Sequence, residues 1–103
     1  MKYNVHLTAF RKHGHQIRQV EVPDEECNGN TDFVLERIFH WGQNECQPQQ
    51  IRSVSAGDII EYNHKYYLIL MAGFCKISKI QLEEFKKLDH SEKMKYLIRL
   101  EKK

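Results

Sequence analysis

Six histidines and three cysteines are the residues of this 103-residue chain best suited to bind a metal or activate a nucleophile. His13 and His15 are two apart, so on a strand they project from one face, and in a turn they converge. With His6, Cys27, His40 or Cys46 they could complete a tetrahedral zinc site. Such sites are ordinarily anchored by Cys-x-x-Cys or His-x3–5-His pairs. Neither spacing occurs in the chain, so the sequence predicts no metal and no other cofactor. A thiol–imidazole nucleophile would need Cys27, Cys46 or Cys75 beside His40 or His64. Cys75 falls in an apolar stretch and reads as a small core residue, whereas Cys27 and Cys46 fall in polar loops. Gly57 and Gly73 stand alone, so no glycine-rich elbow or phosphate-cradling loop is present. No catalytic residue is expected.

The densest polar cluster is Arg52-Ser53-Val54-Ser55-Ala56-Gly57-Asp58. Ser55 and Asp58 can accept hydrogen bonds from nearby backbone amides, Gly57 permits a tight turn, and Arg52 can pair with Asp58. That describes a stapled turn. Arg beside two hydroxyls is equally the make-up of an anion-binding corner, and both readings stay open. The candidate binding surface comprises Arg52, Ser53, Ser55, Asp58, Trp41, His13, His15 and Arg18, together with the loop 43–50.

Charge is segregated along the chain. Residues 1–20 carry +4 with no acid, residues 21–75 carry −6, and residues 76–103 carry +4, for a net +2. Basic ends and aromatics such as Trp41, Tyr3 and Tyr62 are the raw material of a nucleic-acid binder. The isoelectric point near 8.4 falls short of the value above about 9 typical of a dedicated one.

Holding these residues in place requires a core. The chain is 41% hydrophobic and 11% aromatic, enough for one compact domain spanning residues 1–103 and too much for a disordered segment. Met1-Lys2-Tyr3-Asn4-Val5-His6 offers no apolar stretch of the roughly 7–15 residues an export signal needs, so none is expected. The longest apolar run, Tyr66 to Phe74, is far shorter than the roughly 20 residues of a membrane span. Three cysteines at irregular spacing match no disulfide framework, which predicts free thiols in the cytoplasm.

Alternation at Tyr3, Val5, Leu7 and Ala9, a turn at Gly14, and apolar Ile17, Val20 and Val22 predict an N-terminal hairpin. Its first strand is a candidate edge for pairing with a second copy. Thr31 or Asn30 can cap a helix burying Val34, Leu35, Ile38 and Phe39, with Asp32 in its first turn and Gly42 at its end. Residues 58–77 predict a three-stranded meander with Asn63-His64 as its first turn. Ser78 and Gln81 form a capping box before a helix bearing Leu82, Phe85 and Leu88. Asp89 and Glu92 repeat that spacing before a last helix with a buried stripe of Met94, Leu97 and Ile98. The predicted class is α+β: an antiparallel sheet packed with one central and two C-terminal helices.

Leu35-Glu36-x-Ile38-Phe39, Arg52-Ser53-x-Ser55-x-x-Asp58-Ile59-Ile60, Tyr66-Tyr67 and Gly73-Phe74 together resemble the YodL-like domain. That domain occurs in small proteins of Gram-positive bacteria, plasmids, conjugative elements and phages. The resemblance spans roughly residues 31–85. It implies a small intracellular protein with no known enzymatic activity, often carried by mobile elements, and it supplies no catalytic residues. Where the family tends to have a polar residue shortly before Gly-Phe, this chain has Met71-Ala72. The expectation is a non-catalytic interaction protein of phage or mobile-element origin that binds a host macromolecule, a host protein first of all. The alternative is a nucleic-acid-binding accessory protein acting through the basic N-terminal hairpin and the C-terminal helices. A homodimer is compatible with either.

Overall fold

The computed structural model describes residues 1–9, 16–43, 46 and 52–101. The elements are β1 (Lys2–Leu7), β2 (Gln16–Glu21), α1 (Thr31–Trp41), β3 (Ile59–Tyr62), β4 (Lys65–Ile69), β5 (Phe74–Ile77), α2 (Lys79–Lys86) and α3 (His90–Glu101). The strands form one antiparallel sheet in the order β2-β1-β3-β4-β5, the α+β architecture expected. One expectation is corrected: β1 lies inside the sheet between β2 and β3, and the outer strands are β2 and β5. The pairing of β1 with β3 bridges more than fifty residues and leaves no local trace in the sequence.

Strand alternation divides the core in two. Val5, Leu7, Val20, Ile60 and Ile69 face α1, which contributes Val34, Leu35 and Ile38. Ile59, Leu68 and Ile77 face the other way, against Leu82 and Phe85 of α2 and Leu97 of α3. Helices therefore cover both faces, one helix on the first and two on the second.

Local chemistry sets the boundaries. Asn30 caps α1, its side-chain oxygen accepting from the Phe33 amide at 2.8 Å. Ser78 and Gln81 exchange both capping-box bonds ahead of α2, and Asp89 and Glu92 do the same ahead of α3. Asn63 and His64 both adopt positive φ, 54° and 64°, the left-handed pair that closes a two-residue hairpin. Gly42 has an ordinary φ of −73°. Its lack of a side chain matters for space, because a Cβ there would sit 2.5 Å from Val54 Cγ2, and Val54 donates its amide to the Gly42 carbonyl. Ile98 departs from the predicted buried stripe. It is 46% exposed, while Lys93 of the same helix is 2% exposed, because α3 turns Lys93 and Leu97 inward.

Candidate functional site

The 52–58 segment folds into the corner that joins β1, β2, β3 and α3. Gly57, at φ +94°, turns the chain so that Asp58 points inward and is fully buried. Asp58 Oδ1 accepts from the Ala9 amide at 3.0 Å and from Arg52 Nη2 at 2.7 Å; Oδ2 accepts from Arg52 Nη1 at 3.0 Å and the Ser55 amide at 2.9 Å. Four donors on two oxygens fill the ordinary capacity of a carboxylate. Arg52 Nη1 also reaches Ser55 Oγ and the Ser53 carbonyl, both at 3.1 Å.

Two more cations enter from either side. Arg18, 2% exposed, donates from Nη1 to the Arg52 carbonyl at 2.6 Å. Burial, and then the Arg52 charge, hold its guanidinium below its ordinary value. Lys93 donates from Nζ to the Thr8 carbonyl, and Thr8 Oγ1 donates to the Gly57 carbonyl at 2.6 Å. Among the described residues no buried side-chain nitrogen or oxygen is left without a partner. Arg52, Ser53, Ser55, Asp58 and Arg18 are thus brought together, with Asp58 and Arg18 inside the protein.

Burial holds the Lys93 ammonium below its ordinary 10.5, with the Asp58 charge opposing. The folded protein releases this proton first. Between the depressed value and 10.5 the unfolded chain carries more protons, so this group makes stability rise with pH across that window. Urea unfolding of wild type and Lys93→Met, followed from neutral pH upward, should show the difference shifting in favour of wild type as pH climbs. A difference that stays flat would refute the assignment.

The Trp41 side chain turns to Glu26. Its Nε1 donates to Glu26 Oε1 at 3.2 Å, and Arg37 Nε donates to the same oxygen at 2.6 Å. The Trp41 hydrogen bond first, and then Arg37, hold the Glu26 carboxyl below its usual range. The indole lines a depression of about 310 Å3 with Val22, Pro23 and Cys46. His13 and His15 lie outside the described residues. Among the described residues no three His, Cys, Asp or Glu side chains are grouped for a metal ion, and no helix is long and apolar enough to cross a membrane.

Topology also assembles a groove that the sequence reading did not single out. Asp32, Glu36 and Phe39 lie at i, i+4 and i+7 on one flank of α1, and the β4–β5 turn stands across from them. Together with Ile69, Met71 and Phe74 they line an open cleft of about 580 Å3. Met71 is 65% exposed at its rim. The far side is anchored: the Leu70 amide donates to the Gly73 carbonyl at 2.9 Å, and the Ala72 amide donates to Glu101 Oε1 at 2.7 Å. The signal available beforehand was slight, two acids on α1 and a chain reversal at Ala72-Gly73.

Compared with family models, with curated proteins and with solved structures, the chain matches none. The YodL-like resemblance therefore rests on the residues quoted from 31–85.

Proposed function

We propose that this chain is a non-catalytic binding protein, carried by a phage or mobile element, that acts in the cytoplasm by occupying the surface of a host protein. The observation that carries this reading is the cleft between α1 and the β4–β5 turn. Apolar groups there stay accessible on a braced support, with two carboxylates along one wall. Apolar clefts with a polar margin are the usual form of a recognition site. The corner around Asp58 supports the reading indirectly, since its donors and acceptors are engaged with one another. In the alternative, nucleic-acid binding through the basic hairpin and C-terminal helices, two of the contributing cations, Arg18 and Lys93, lie inside the fold.

A photo-reactive amino acid placed at Met71, and separately at Ile80, tests the proposal. Ile80 is 71% exposed but belongs to α2 on the opposite side of the sheet. In lysates of bacterial hosts, the Met71 probe should crosslink one discrete protein that the Ile80 probe does not. Identical patterns from the two positions, or no crosslink from Met71 in any lysate, would refute the cleft as a docking site.

A further inference from the structure

The width of the sheet suggests what fills the cleft. Five strands at about 4.8 Å spacing span roughly 19 Å between the outer axes, whereas a helix with its side chains is only about 10–12 Å across. On the second face two helices share that span. On the first face, among the described residues, α1 is the one helix, and it packs chiefly over β2 and β3. Tyr67, Ile69, Phe74 and Lys76 of β4 and β5 point to the same face, and Tyr67 and Phe74 are half-buried there. Taking one helix from that span leaves roughly 7–9 Å over β4 and β5, enough to seat a second helix that overhangs the outer strand. The α1 wall of the cleft carries Asp32 and Glu36, one turn apart, and among the described residues these are the charged groups that line it; Lys76, across from Tyr67 on the same face of the sheet, lies outside that lining. The cleft between α2 and α3 differs, since Glu84 and Glu92 there are matched by Lys95 and Arg99 and no sign is preferred.

We infer that the cleft receives one helix of the partner protein, laid beside α1. Its apolar face would rest on Phe39, Met71 and Phe74, and its Lys or Arg residues would lie along Asp32 and Glu36. This deepens the proposed function and rests on its assignment of the cleft as a docking site. Apolar anchors at helical spacing supply the contact area. Opposite charges supply orientation and discrimination rather than most of the affinity.

The probe is a fluorescein-labelled synthetic peptide about four turns long, with leucines on one helical face and lysines flanking them. A second peptide has glutamate in place of every lysine, and a third has two central prolines that prevent a helix. By fluorescence anisotropy at low salt, the lysine peptide should bind this protein at least about tenfold more tightly than either of the others. Asp32→Lys/Glu36→Lys should reverse the preference between lysine and glutamate peptides. The amide resonances of residues 69–74 should move on binding.

Equal binding of the lysine and glutamate peptides, or no binding, would overturn the inference. So would equal binding of the proline peptide with shifts centred on Cys75 and Lys76, which would mean strand addition at β5. Concentration-dependent self-association that moves the 69–74 resonances, and that the peptide cannot displace, would give the cleft to a second copy instead. If the peptides fail while the Met71 crosslink succeeds, the docking site stands and only the helical, cationic occupant is refuted.

Discussion

Asp58→Ala is expected to lower the free energy of unfolding by about 3–5 kcal/mol, the range for removing one member of a buried ion pair. The substitution takes away four accepted hydrogen bonds at once. It also leaves the Arg52 guanidinium, whose side chain is only 30% exposed, facing a cavity where its counter-charge had been. The Ala9 and Ser55 amides lose their acceptor in the same step, and unpaired buried donors cost about 1–3 kcal/mol each in principle. These penalties overlap, because the groups form one unit. For that reason Arg52→Met added to Asp58→Ala should cost little beyond the single change. Urea denaturation gives both numbers. An Asp58→Ala variant within about 1 kcal/mol of wild type would mean that this corner does not tie the strands together.

Phe85→Ala should cost a comparable amount, about 3–5 kcal/mol, the usual range for a buried aromatic. Phe85 is wholly buried at the centre of the second core. Its ring meets Tyr96 edge-on at 5.4 Å between centroids, and the Lys93 ammonium lies 5.4 Å from its centroid. Truncation removes the hydrophobic contact with the sheet and α3, and with it the aromatic pair and the ring beside a buried cation, which join α2 to α3. Ile80→Ala on the exposed side of α2 serves as the comparison and should stay within about 0.5 kcal/mol of wild type. Equal effects at the two positions, read by thermal or urea unfolding, would contradict the packing described for the second face.

Features decided by neighbouring residues were legible in the sequence. Asn63-His64 closes a hairpin because both residues tolerate positive φ. The capping pairs Ser78–Gln81 and Asp89–Glu92 need only a spacing of three. The Arg52–Asp58 pair is likewise readable, since it closes across six residues and one glycine. Lys93 was not legible. Its burial depends on the carbonyl of Thr8, the ring of Phe85 and the charge of Asp58, which only the completed fold brings near. Ile98 and Leu97 are adjacent and equally apolar, so composition alone could not say which of them faces the sheet. The cleft beside α1 left only a slight trace for the same reason: residues 32–39 and 69–74 meet only once β4 has been placed three positions across from β2.

The bond from Lys93 to the Thr8 carbonyl links residues 85 positions apart, and that separation sets a clock on biosynthesis. At ordinary elongation rates of about 5–20 residues per second, roughly 4–17 seconds pass between the addition of Thr8 and the addition of Lys93. Throughout that interval the opening hairpin lacks the cation that finally seals it. Until then the nascent chain keeps an incomplete interior, open to chaperones and to proteases, and native closure belongs to the moment when α3 emerges.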